Sequence, residues 1–178
     1  MSSPIEELRS QIREVEGFPH EGILFYDITT ILKNGDAFRS TIDLMTEPFR
    51  DAGIDVVVAM ESRGFIFGAP IAYLLGAGFA PIRKLGKLPA ETVTREYALE
   101  YATNTLQIHR DAVKAGQRVL LVDDLLATGG TVAASIEIVR ELGGVAVAVD
   151  VLVELENLGG RERLEPYGVE VTSFISYP

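Results

Sequence analysis

Apolar residues along this chain fall into two patterns, short continuous runs and three-to-four spacings, and the two alternate over most of its length. Val56-Val57-Val58-Ala59-Met60 is a continuous run of largely β-branched type, as expected for a strand buried on both faces. Phe65 to Leu75 reads as the helix that follows, and Phe79 to Ile82 as a second strand. Val119 to Val122 reads as a third strand, Val132 to Leu142 as a helix, Val145 to Val153 as a fourth strand and Val169 to Ile175 as a last one. This alternation predicts an α/β fold, a central mostly parallel sheet flanked by helices. Ahead of it, Ile5, Leu8, Ile12 and Val15 are spaced as on an amphipathic helix, which Gly17, Pro19 and Gly22 then break. A further helix is expected over about residues 36–51, ending before Gly53.

Residues 84–103 fit this scheme poorly, because charge, Gly86, Pro89, Tyr97 and Tyr101 mix there without a sustained period. A loop of that size between two well-patterned units reads as a mobile flap over an active site. The chain has 178 residues and no internal repeat or linker, so a single domain spanning residues 1–178 is expected. Hydrophobic residues make up 47% and charged residues 24%, a balance that supports a packed core and argues against disorder.

Composition narrows the chemistry. There is no cysteine, which removes disulfides, thiolate metal sites and a Cys nucleophile, and fits a reducing compartment. No signal-peptide-like or membrane-spanning apolar run occurs, so a cytoplasmic protein without a membrane partner is expected. A net charge of −10 speaks against general binding to nucleic acid, whose phosphates the surface would repel. An anionic substrate therefore needs a local basic patch, for which Arg83, Lys84 and Lys87, joined by Arg63, are the candidates. His20 and His109 show no ligand or nucleophile spacing and read as structural or surface residues.

The most informative stretch runs from Val119 to Thr131: strand, acid pair, glycine loop, helix start. A buried strand delivers Asp123 and Asp124 to its C-terminal end, where open α/β sheets form their ligand crevices. Thr128, Gly129, Gly130 and Thr131 then form a turn in which glycines let consecutive N–H groups point at one anion. The following helix adds its positive end, and the threonines add hydroxyl donors. Carboxylates beside a phosphate cradle suit uncharged donors attached to that phosphate, such as sugar hydroxyls. Taken alone, the same residues also fit an ordinary glycine loop with solvated acids before it. No G-x-x-x-x-G-K-[ST] match exists, and Gly76-Ala77-Gly78 lacks the third glycine of a dinucleotide fingerprint.

This segment resembles the signature of type I phosphoribosyltransferases, which bind phosphoribosyl pyrophosphate. The resemblance implies that Asp123 and Asp124 hold the ribose hydroxyls and that Ala127 to Thr131 hold the 5-phosphate. Other blocks resemble the adenine-using branch of that family. They are Phe18-Pro19, residues 22–28, Glu61-Ser62-Arg63-Gly64-Phe65, residues 83–89, Leu99-Glu100-Tyr101, residues 152–155 and Gly159-Gly160-Arg161. The fold implied is that of the family, with an N-terminal hood over about residues 1–34 and a flap over about residues 84–103.

By the same resemblance, Ser62 and Arg63 form the loop that holds pyrophosphate, often with a strained peptide bond. Arg83, Lys84 and Lys87 supply further charge, partly across a homodimer interface. Leu24, Phe25 and Tyr26 hold adenine, with Phe25 stacking and backbone groups of Leu24 and Tyr26 reading the base edge. The family commonly carries arginine at the position of Tyr26, so a contact made by that arginine side chain is lost here. Glu100 and Tyr101 close over the reacting centre, Glu100 handling a proton at purine N7, with Arg63 counted beside them as catalytic. Mg²⁺ is implied, bound mainly through the substrate. The residues themselves leave plainer readings open: Arg63 as a surface arginine, residues 83–87 as a solvated basic turn, Phe25 as core and Glu100 as a helix-face acid. Activity on xanthine, guanine or orotate, or a non-catalytic sensor of the ribosyl donor, stays open as well.

Overall fold

The computed structural model describes residues 3–98 and 103–178, which divide by contact after Leu44. In the first unit, α1 (Pro4–Gln11) starts on a capping box, Ser3 accepting from the Glu6 N–H while the Glu6 carboxylate accepts from the Ser3 N–H. The predicted helix through Val15 stops at Gln11. Ile12 is extended, and Arg13–Glu16 form β1, paired antiparallel with β2 (Leu24–Asp27) in the register Val15 to Phe25. Pairing across the intervening turn overrides the helical spacing, and two β-branched residues, Ile12 and Val15, ease the change. The short α2 (Thr29–Leu32) follows Asp27, whose carboxyl is held down at about 2 by Thr29 and by Arg13. Then comes α3 (Gly35–Thr46), close to its predicted span.

The second unit carries β3 (Val56–Met60), α4 (Gly64–Leu75), β4 (Gly78–Lys84), β5 (Thr92–Ala98), β6 (Thr103–His109) and β7 (Arg118–Leu126). After these come α5 (Gly130–Glu141), β8 (Val145–Leu155), α6 (Gly160–Leu164) and β9 (Glu170–Tyr177). Seven strands form one sheet in the order β5-β6-β4-β3-β7-β8-β9. Pairs from β4 through β9 are parallel, and β6 joins β4 and β5 antiparallel. The predicted mostly parallel α/β sheet is therefore present.

Helices cover both faces. Val56, Val58 and Met60 pack in the cluster that includes Ile136 and Val139 of α5. Their neighbours Val57 and Ala59 face Gly68 of α4, where a methyl group would stand 2.6 Å from the Ala59 Cβ. A strand covered on two faces has no polar positions, which is why β3 reads as an unbroken apolar run.

Two differences from the sequence reading concern strands. Part of the segment read as irregular is β5, and β6 was not anticipated; they pair from Thr92–His109 to Ala98–Thr103. Among the described residues of these strands, only Val93 of β5, and Leu106, Gln107 and Ile108 of β6, are buried, too few to make an apolar run. The third strand runs on past Val122 to Leu126, because β8 continues beside it after β3 has stopped.

Candidate active site

The chain leaves β3 for β4 on one side and leaves β7 for β8 on the other, so the strand order reverses between β3 and β7. In an open α/β sheet the ligand crevice lies outside the strand ends at such a reversal. The residues immediately beyond β3 are Glu61, Ser62 and Arg63, and the second half of β7 carries Asp123 and Asp124. The topology thus gathers both sets of predicted residues at one place. The acids are strand residues, with Asp123 level with Val151 of β8, rather than the start of a loop.

Asp124 is almost fully buried and accepts from Arg63 Nε at 2.5 Å. Asp123 accepts from the Asp124 N–H at 2.9 Å and lines the cavity beyond. Burial, and next the charge of Asp124, push the Asp123 carboxyl well above the usual range, with Arg63 working against them. Two adjacent acids thus sit in unlike states, one paired to a guanidinium and one disposed to hold its proton. Gly64 makes this approach possible, since a methyl group there would stand 2.9 Å from Asp123 Oδ1 and 3.0 Å from the Val122 carbonyl oxygen.

Beyond the acids, Asp123 and residues 125–132 line a cavity of about 80 Å³. Gly129 has φ +74°, a conformation glycine adopts without strain, and it caps the N-terminus of α5. The first-turn N–H groups of α5 have no intrahelical carbonyl to bond, and with the helix dipole they favour an anion. Among the described residues, no Lys or Arg side chain lines this cavity, though Arg163 Nη1 stands close to the loop, 3.4 Å from where a methyl group on Gly130 would lie. The fit of loop to sheet depends on Gly160, at the start of α6. A methyl group there would meet the Ala127 carbonyl oxygen at 2.1 Å, and one on Gly129 would meet the Gly160 carbonyl oxygen at 2.7 Å. Arg161 holds that turn by pairing with the buried Glu154 through Nε at 2.9 Å and by donating to the Val171 carbonyl at 2.7 Å.

The basic residues are arranged around an acid that the sequence reading passed over as a site residue. The Glu61 carboxylate accepts from the Lys84 N–H at 3.0 Å and from Arg83 Nε at 3.2 Å. These contacts, the Lys84 N–H foremost, hold its carboxyl below the usual range. Arg83 also donates to the Lys87 carbonyl at 3.1 Å, while the Lys84 and Lys87 side chains are exposed. The peptide between Glu61 and Ser62 is cis. Glu61 therefore ties the loop carrying Ser62 and Arg63 to the turn carrying Arg83, Lys84 and Lys87.

Leu24, Phe25 and Tyr26 lie on β2 in the first unit. Phe25 is half-buried outside the core and meets Phe18 edge-on at 5.1 Å between ring centroids. Burial raises the Tyr26 phenol, aided by Glu14. Glu100 and Tyr101 lie outside the described residues. His109 accepts from or donates to no catalytic group in the described set; its Nε2 lies 2.7 Å from the Pro89 carbonyl oxygen, in keeping with a structural role. Glu61, Gly64 and Gly160 were missed as site residues. A signal existed for each, since Glu61 and Gly64 flank the quoted Ser62-Arg63 pair and Gly160 sits in the quoted tail.

Known proteins share this arrangement along the whole chain. Residues 27–175 match the phosphoribosyl transferase domain. The adenine phosphoribosyltransferase of Alkaliphilus oremlandii is 54% identical over 171 residues, covering 96% of this chain and 98% of that protein. The crystal structure of adenine phosphoribosyltransferase from Thermoanaerobacter pseudethanolicus superposes with a TM-score of 0.93 at 50% identity, over 97% of this chain and 99% of that one. The Saccharomyces cerevisiae enzyme, solved with an imino-altritol bisphosphate and adenine, gives 0.90 at 38% identity, over 98% and 99%. With acids on β7, a glycine loop after it, a paired arginine after β3 and relatives matching nearly the full length, the chain belongs to the phosphoribosyl transferase family.

Proposed function

We infer that this chain is a pentosyltransferase that moves the 5-phosphoribosyl group of phosphoribosyl pyrophosphate onto adenine, giving AMP and pyrophosphate, a purine-salvage reaction. The observation that carries the reading is the acid pair leading into the glycine cradle at the sheet's reversal point, in a chain 54% identical to an adenine phosphoribosyltransferase. Relatives at 50% identity or more bear the same name, and the yeast relative was solved with adenine bound.

The roles proposed follow the chemistry of each group. The N–H groups of residues 127–131 take the 5-phosphate. Asp123 and Asp124 accept from the ribose hydroxyls, a task for carboxylate oxygens that a neighbouring phosphate would otherwise repel. Ser62, Arg63, Arg83, Lys84 and Lys87 take pyrophosphate, Arg63 swinging its half-exposed guanidinium from Asp124 toward the leaving group. Leu24, Phe25 and Tyr26 take adenine, and Glu100 and Tyr101 act at the reacting centre. The bond from ribose C1 to the pyrophosphate oxygen breaks, with the electron pair leaving on oxygen, and a bond from C1 to a ring nitrogen of adenine forms. Charge builds on the ribose ring as in other glycosyl transfers. The ring proton of adenine, carried at N7, passes to the Glu100 carboxylate as the other imidazole nitrogen bonds to C1, so one proton leaves the base and one carboxylate gains it.

Mg²⁺ would be bound mainly through the substrate's own oxygens. Among the described residues no cluster of three metal-binding side chains occurs, and a cation that keeps waters and substrate oxygens needs no such cage. When bound, it neutralises the pyrophosphate as that group departs. The exposed apolar side chains Ile66 and Tyr73, on one face of α4, support a homodimer through that face. No helix is long and apolar enough to cross a membrane. The donor is too highly charged to cross a bilayer unaided, so the reading places the enzyme in the cytoplasm where such donors are made.

The test is to supply phosphoribosyl pyrophosphate and Mg²⁺ with adenine, guanine, xanthine and orotate in turn and to follow pyrophosphate release. Release with adenine is expected. Faster release with another base reassigns the substrate, and none with any base leaves a sensor.

A further inference from the structure

The phosphate loop touches the β5–β6 pair through residues that the roles above leave without a task. The Thr131 hydroxyl donates to the Tyr97 phenol oxygen at 3.0 Å, and Asn104 Nδ2, on β6, reaches the same oxygen at 3.4 Å. The Tyr97 ring lies against the loop, since a methyl group on Gly130 would stand 3.2 Å from its Cδ2. Two residues earlier on β5, Arg95 reaches Glu141 of α5 at 2.7 Å, so the strand is anchored along the same helix that the loop opens.

We propose that Tyr97 is a positioning residue that transmits filling of the 5-phosphate cradle to the β5–β6 strands; this rests on the assignment of residues 127–131 to that phosphate. A hydroxyl has one proton to donate and lone pairs to accept with. Without ligand, Thr131 spends its proton on Tyr97. A phosphate oxygen in the cradle is a charged and stronger acceptor and takes that proton, whereupon the Tyr97 hydroxyl turns to donate to Thr131. The three groups then form a chain, Tyr97 to Thr131 to phosphate, in which each bond polarises the next. The Tyr97–Thr131 link is therefore stronger with the cradle filled. Glu100, the proposed proton handler, lies three residues after Tyr97 in the sequence.

The experiment uses the full chain and ribose 5-phosphate alone, with amide hydrogen exchange read in peptides covering the loop at 127–131 and the strands at 92–98 and 103–109. In the unaltered chain, saturating ribose 5-phosphate slows exchange in both places. In Tyr97→Phe, which keeps the ring over Gly130, the loop is still protected but the strands no longer respond. Coupling is reciprocal, so ribose 5-phosphate affinity falls about two- to tenfold, the worth of one hydrogen bond. A merely structural tyrosine would change strand exchange equally with and without ligand. Thr131→Val cuts the link from the loop side and gives the same silent strands, which keeps the test open if the first variant does not fold. An unchanged strand response in either folded variant overturns the proposal. If ribose 5-phosphate leaves the loop unprotected in the unaltered chain, the phosphate assignment itself fails and takes this inference with it.

Discussion

The glycine loop at residues 127–131 and the basic group at residues 61–63 and 83–87, the two proposed anion sites, are built by opposite means. The loop presents main-chain N–H groups held by a helix start, a left-handed glycine and the close-fitting turn at Gly160, with no Lys or Arg side chain lining it among the described residues. The basic group presents guanidinium charge that is already engaged, Arg63 with Asp124 and Arg83 with Glu61. One end is shape fixed in advance; the other is charge on loan to carboxylates. A phosphate that remains attached to the product suits the first. A leaving group suits the second, because the carboxylates can take the cations back as it departs.

The largest effect separating the two ends is expected from Gly160→Ala. Its new methyl group would stand 2.1 Å from the Ala127 carbonyl oxygen, a backbone contact that only displacement of the loop can relieve. A stability loss of about 3 kcal/mol in denaturant titration is expected, as for other strained backbone sites. Ribose 5-phosphate binding should be lost while pyrophosphate binding persists. Wild-type affinity for the sugar phosphate would show that the loop is not held by this turn.

Arg63→Ala should do the converse. It should lower kcat/KM for the ribosyl donor about 100-fold, the usual worth of one charged group at a site of developing charge, and spare ribose 5-phosphate binding. Asp124 then stays buried without its cation, but Arg63 is half-exposed and screened, so stability should fall by only about 1 kcal/mol. Arg63→Lys should recover part of the activity, since it restores charge without the planar fork. Equal losses at both anion sites in Arg63→Ala would erase the distinction.

The smallest effect concerns Asp123, at the junction of the two ends. Burial raises its carboxyl above the unfolded value of about 3.9, so the folded chain binds that proton more tightly than the unfolded chain. Stability contributed by this group is present at low pH and declines as pH rises from the unfolded pKa through the folded one. Asp123→Asn removes the decline. It should gain stability at pH 8 and little at pH 4 by denaturant titration, while weakening use of the ribosyl donor. A variant less stable than the parent at pH 8 would show that the carboxylate is well accommodated.

These differences track what was legible in the sequence. Strands covered on both faces, such as Val56–Met60, write themselves as apolar runs, and the acid-and-glycine segment states its chemistry in one stretch. Contacts between distant segments leave no such mark. Glu61 serves the basic group by meeting Arg83 and Lys84, and Gly160 serves the loop by meeting Ala127, so neither role follows from local pattern. The β6 strand was missed because two sheet neighbours, β4 and β5, and one helix settle its fold, with few apolar residues to announce it. The same holds for Val15, whose helical spacing lost to pairing with Phe25.

The meeting of Gly160 with Ala127 also bears on how the protein is made. A nascent chain presents the acid pair and the glycines well before the turn that braces them has left the ribosome. The anion grip is therefore completed late in translation, after β8 has been laid beside β7 and α6 has begun. A ribosome-bound chain stalled before residue 160 should carry the sugar-phosphate sequence without its grasp.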